Sequence, residues 1–234
     1  MTTPFYILVA TPIESSRLNK IFESGDDSII DLLKNPGRLR RMGWDLETLN
    51  TPRIIEGEYL EVKNGDRKLI NIYEDGTFIL RVASDHTFLG WGRDETVFGE
   101  DSRLNPVALV ELTYNFIDFY KKLIPHFTKR PVNIRFNVEF RNISKNFYLL
   151  PYGVGTYAWT FADERYHAPG DEMTNKTLNV KTDDILIKSA YVAYDLVKML
   201  YLWFGIGPEK IPYISEDKNK DKFVDTTKIK DLKG

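Results

Sequence analysis

Apolar and polar side chains alternate without a break over residues 132–141. Val132, Ile134, Phe136, Val138 and Phe140 fall on one parity, and Asn133, Arg135, Asn137, Glu139 and Arg141 on the other. A period of two puts the first set on one face of a β-strand and the second on the opposite face, so the apolar set is expected to meet helices. The same period recurs over residues 57–82, where Leu60/Val62, Ile70/Ile72 and Phe78/Leu80/Val82 are separated by Asn64-Gly65 and Asp75-Gly76. These dipeptides supply the positive φ that tight hairpin turns need, which predicts a three-stranded antiparallel meander. The meander is expected to extend back to Arg53 and forward through Phe88 to Trp91. Residues 5–10 form a continuous apolar run closed by Thr11-Pro12, the pattern of a central strand covered on both faces. Residues 147–150 and 156–161, split by Pro151-Tyr152-Gly153, read as further strands.

A different period governs the rest. Asn105-Pro106 is a helix start, and over residues 107–124 the polar side chains are Glu111, Asn115, Asp118 and Lys122, a single narrow stripe. Asp183 and Asp184 favour the positive end of a second long helix that Gly205 and Pro208 close. Its stripe is Asp184, Lys188, Tyr191, Asp195 and Lys198. Both helices have apolar surface well beyond the roughly 100° that a one-sided helix needs. The second is therefore expected to reach an interface outside this chain's own core through Tyr194, Val197, Leu200, Tyr201, Trp203 and Phe204, the alternative being that the helices absorb the surplus by packing on each other. Shorter helices are expected at 15–22 and 28–34, and residues 162–182 read as a polar loop. The fold class that follows is α+β, an antiparallel meander sheet with two long, mostly buried helices. One domain is expected over 1–214, followed by a solvated, frayed polar tail over 215–234.

Composition narrows the function classes. The 234 residues are 42% hydrophobic and 13% aromatic, rich enough for burial to offset the entropy of ordering. A net charge of −2 and a pI near 6.0 provide no global positive field for nucleic acid or anionic lipid. Cysteine is absent, which excludes disulfides, thiolate nucleophiles and Cys-ligated metal centres and fits a cytoplasmic protein. The apolar run near the start is too short for a signal peptide, and Lys188, Asp195 and Lys198 argue against a membrane span over 185–204. A fold that starts four residues from Met1 is what a domain excised from a longer chain looks like.

Candidate chemistry is sparse. Asp163, Glu164 and His167, with Asp171 and Glu172, put carboxylates and an imidazole in one polar segment, the groups a hydrolase or phosphoesterase would use; the competing reading is a solvated acidic loop. Asp85-His86 with Arg93-Asp94-Glu95 is a similar set. Gly90/Gly92 and Gly153/Gly155 lack the following helix of a phosphate loop, there is no G-x-S-x-G motif, and no cofactor or metal site is expected. Lys34, Arg38, Arg40 and Arg41 surround Pro36-Gly37 and are candidates for phosphate or nucleic-acid contact. The polar parity of the 132–141 strand offers Arg135, Glu139 and Arg141 as the lining of a ligand groove.

Three stretches carry a family likeness: Pro4-Phe5-Tyr6-Ile7-Leu8-Val9-Ala10-Thr11-Pro12, Leu39-Arg40-Arg41-Met42-Gly43-Trp44-Asp45-Leu46, and Arg67-Lys68-Leu69-Ile70-Asn71-Ile72-Tyr73-Glu74-Asp75-Gly76-Thr77. Over roughly the first hundred residues the chain resembles the C-terminal region that follows the AlbA/Schlafen-like DNA-binding domain in some bacterial proteins. The resemblance implies an accessory domain, sensing or oligomerising, of a regulatory or defence-type protein, while the wide apolar helices and the lack of a catalytic constellation point to a non-enzymatic domain that binds a partner or small ligand. The expected partners are a protein or a second copy of the chain, with nucleic acid reached through an associated domain or, as an alternative, through the 38–41 basic cluster. Nothing here matches the AlbA/Schlafen-like domain itself, so none of its DNA-binding or nuclease residues carries over.

Overall fold

The N-terminal strand β1 (Phe5–Pro12) holds the sheet together. The computed structural model describes residues 4–19, 21–22, 28–40, 43–48, 50–84, 89, 103–143, 147–149 and 166–231. After β1 come α1 (Ser28–Lys34), the meander β2 (Arg53–Ile55), β3 (Tyr59–Asn64), β4 (Lys68–Tyr73) and β5 (Phe78–Ala83), then β6 (Arg103–Leu104) and the long helix α2 (Pro106–Leu123). The second half adds β7 (Asn133–Arg141), β8 (Tyr148–Leu149), β9 (Tyr166–His167), β10 (Met173–Lys181) and α3 (Thr182–Trp203), and finishes with β11 (Ile214–Glu216), β12 (Lys222–Val224) and α4 (Thr226–Lys230). Seven strands pair in the order β10-β7-β1-β5-β4-β3-β2, every pair antiparallel. The protein is α+β.

Register follows the alternation. Leu8 lies opposite Leu80 on one side and Val138 on the other, so all three point to the same face. That face is the core: Tyr6, Leu8, Phe78, Leu80, Phe136 and Phe140 are buried, whereas Arg135 is exposed. The Phe78 ring centre lies 4.8 Å from those of both Phe116 and Phe119 of α2, and Phe140 lies 6.0 Å from Trp203 and 5.9 Å from Phe204 at the end of α3. Gly76 sits at φ 84° in the β4–β5 turn, where a Cβ would lie 2.2 Å from the Phe127 ring. Only glycine fits there.

Several expectations need correction. β1 is central by position, but it alternates buried with half-buried residues because, among the described residues, helices cover one face of the sheet. Val132 lies just outside β7 and is 63% exposed. Residues 15–19 are extended rather than helical, with Leu18 bridged to Phe127 and the Leu18 N–H bonded to the Glu74 carbonyl at 2.8 Å. Part of the expected 162–182 loop is β10, a nine-residue edge strand whose Thr, Asn and Lys residues face water. The forward extension of the meander over 85–91 and the strand expected at 156–161 lie outside the described residues, apart from Leu89.

The tail is folded. β11 and β12 form a hairpin, α4 is capped by Asp225, and Val224 and Ile229 are buried. Phe223 packs 5.2 Å from Tyr191 of α3. Those few apolar side chains anchor a segment whose charges face solvent. The hairpin, together with α2, also covers much of the apolar surface of α3. Tyr194, Val197, Leu200, Tyr201 and Phe204 are buried within this chain and Trp203 is half-buried, whereas Ile187 and Leu202 of the same helix are 80% and 53% exposed.

Candidate binding cleft

Asp184, Lys188, Tyr191, Asp195 and Lys198 follow one another at helical spacing and share a face of α3. They form the floor of a cleft of about 890 Å³. One wall is residues 178–181 of β10; the other is made by Pro208 and Glu209 and by residues 220–222 at the turn of the β11–β12 hairpin. The floor bends at Lys188, whose φ of −128° and ψ of 35° break the helix. The next residue, Ser189, is buried and hydrogen-bonded to Tyr114 of α2.

The hairpin turn is tied to the helix floor. The Tyr191 hydroxyl donates to Asp217 Oδ2 at 3.1 Å, and Asp217 Oδ1 accepts the backbone N–H groups of Asn219 at 2.8 Å and Asp221 at 3.0 Å. Partial desolvation pushes the Asp217 carboxyl up, but these donors outweigh it and leave the pKa below the ordinary carboxylate range. The wall is thereby fixed as a turn.

Five lysines and four carboxylates line the cleft. Among the described residues, Lys181, Lys188, Lys198, Asp184 and Asp195 make no salt bridge, although Lys188 Nζ lies 6.0 Å from the centre of the Tyr191 ring. Desolvation raises the Asp195 carboxyl above its usual pKa despite the attraction of Lys198, and Asp221 adds to the rise, even though Asp195 keeps solvent access. Several charges elsewhere are paired. Arg17 meets Glu74 at 2.5 Å, Arg38 meets Glu47 at 3.2 Å, and Lys122 meets Asp118 at 2.8 Å. Unmatched charges in a concave site act outward, on whatever enters it.

The basic cluster is distributed differently. Lys34 pairs with Asp31 at 3.2 Å, Arg38 with Glu47, and Arg40 with the fully buried Glu111 of α2 at 3.1 Å; Arg41 lies outside the described residues. The stripe of α2 thus receives the 36–47 segment. The Asn115 amide donates to the Trp44 carbonyl at 2.9 Å, Lys122 Nζ to the Pro36 carbonyl at 3.0 Å, and the Arg40 guanidinium lies 5.6 Å from the Trp44 ring centre. Lys68 closes the other end, donating to the Asp45 and Glu47 carbonyls at 2.6 and 2.8 Å, and burial lowers its pKa.

Arg135, Glu139 and Arg141 share the face of the sheet turned away from the helices. Glu139 and Arg141 pair at 2.7 Å, and Arg135 Nε lies 3.4 Å from Asn179 Oδ1. His167 is exposed in β9, opposite Tyr148. Its proposed companions Asp163 and Glu164, the 85–95 set and the two glycine pairs lie outside the described residues. Among the described residues no His, Asp or Glu cluster has the geometry to hold a metal ion, and no helix is long and apolar enough to cross a membrane. The stripe along α3 was visible in the sequence. Its partners in the cleft were not, because β10 and the hairpin read as polar loop and tail. Comparison with family models, with curated proteins and with solved structures finds no match.

Proposed function

We propose that this chain is a non-enzymatic binding module, an accessory domain of a larger regulatory or defence-type protein acting in the cytoplasm, and that its ligand seats in the cleft between β10 and α3. The observation that carries this reading is the gathering of charges of both signs on one concave floor. The floor of the cleft keeps both signs unpaired within one concavity whose size suits a ligand. The likeness of the first hundred residues to the region following an AlbA/Schlafen-like domain supports the accessory role, and the absence of cysteine fits a reducing compartment. Direct nucleic-acid binding through the basic cluster has weaker support, since Lys34, Arg38 and Arg40 already face carboxylates.

The test is a titration of the chain, labelled at its amino terminus, against an array of short peptides and mononucleotides. Ligands of the wild type are expected to bind at least about ten-fold more weakly to Lys188→Glu/Lys198→Glu, about 1.4 kcal/mol. Lys121→Glu/Lys129→Glu, outside the cleft, is expected to bind them normally. Binding indifferent to the cleft reversal, or no binding at all, contradicts the proposal.

A further inference from the structure

Among the described residues, the wall made by β10 is a free edge of the sheet. Among the described residues β10 pairs only with β7, so every second residue along it directs its N–H and C=O away from the sheet. Proteins usually blunt such edges with bulges and lysines. In β10 the irregularity is confined to one end: the register shifts between Met173 and Lys176, with Asn175 at φ 59°. From Lys176 to Lys181 each residue stays in step with β7. The regular half is the half that opens on the cleft, and four consecutive residues of it, two of each parity, line the space.

We propose that the cleft takes an extended peptide segment of a partner protein, which adds as an eighth strand to the edge of β10. This rests on the cleft being the binding site and names the class of ligand. Backbone pairing to residues 177–181 supplies affinity, and alternate side chains supply specificity. Peptide side chains turned toward α3 meet Lys188 and Lys198 on one hand and Asp184 and Asp195 on the other, so the segment carries both acidic and basic residues. Leu178, half-buried at the rim, offers an apolar contact between them. A single-stranded nucleic acid fits less well, because carboxylates line the same floor as the lysines.

Random ten-residue peptides displayed on phage and selected on the wild-type chain test this. Synthetic copies of the selected peptides are then measured with alternate backbone nitrogens methylated. Methylation on one parity is expected to weaken binding at least ten-fold and on the other to leave it intact, because only every second peptide N–H faces β10. Amides within 177–181 are expected to exchange more slowly in the complex. If binding is lost with Lys188→Glu/Lys198→Glu but survives methylation on both parities, strand addition is overturned while the cleft remains the site. Peptides indifferent to charge reversal, failure to select any peptide, or displacement of the peptide by an oligothymidylate overturns the proposal.

Discussion

The Arg40 guanidinium sits 3.1 Å from the Glu111 carboxylate, with 13% of the arginine side chain and none of the glutamate side chain exposed. Burial pushes the Glu111 carboxyl up and Arg40 pulls it back down, so the pair is a desolvated one that depends on both members. Removing one leaves an uncompensated charge. Glu111→Leu or Arg40→Met is expected to lower stability by about 3–5 kcal/mol in urea unfolding, and the joint change Arg40→Met/Glu111→Leu by much less than the sum. Additive losses would show that the two residues act separately.

Gly43 lies against the same carboxylate. A Cβ added there would be 2.0 Å from Glu111 Oε1 and 2.8 Å from its Cδ, so Gly43→Ala must displace either the 43–47 segment or the glutamate. A cost of about 1–3 kcal/mol is expected, reduced when Glu111 is replaced by alanine. A Gly43→Ala variant as stable as wild type would contradict the close approach.

Neighbouring residues of β7 separate the two faces of the sheet. Phe136→Ala is expected to cost about 3–5 kcal/mol, since its ring is enclosed by Phe116 at 6.4 Å and Tyr120 at 5.9 Å. Arg135→Ala, on the exposed parity, is expected to stay within about 0.5 kcal/mol of wild type. The reverse order would require a register slipped by one residue.

The C-terminal segment should respond to acid. The Asp225 carboxylate caps α4, accepting from the Thr227 N–H at 3.1 Å and the Ser215 hydroxyl at 2.7 Å, and these bonds, led by that of the Thr227 side chain, hold its pKa below the ordinary carboxylate value. A depressed folded-state pKa contributes stability that is present above the unfolded value and lost as pH falls through the folded one. Protection of the amides over 214–231, taken relative to their intrinsic exchange rates, is therefore expected to fall below about pH 4 in wild type, and to depend less on pH in Asp225→Asn. Equal pH dependence in the two proteins would remove Asp225 as the cause.

Much of this fold could be read from side-chain period. The 132–141 alternation and the Asn64-Gly65 and Asp75-Gly76 turns marked β3, β4, β5 and β7, and Asn105-Pro106 marked the start of α2, because each signal is local and is reinforced by burial on one face. β10 was missed for a physical reason. At the sheet edge it buries only Met173 and Val180, so its Thr, Asn and Lys residues leave no alternation to detect. The β11–β12 hairpin was missed similarly, since Phe223, Val224 and Ile229 anchor it within a run of lysines and acids. Half of the candidate site was therefore legible, as the α3 stripe. The walls that make it a cleft depend on long-range pairing that no local pattern encodes.

The most direct measurement is hydrogen–deuterium exchange of the wild-type chain with and without a bound array ligand, resolved to short segments. Slowed exchange confined to 177–198 and 217–222, with residues 135–141 unchanged, is the footprint the cleft predicts. Protection centred on 135–141 or on 34–40, with 177–198 unaltered, would place the binding surface elsewhere and contradict the account.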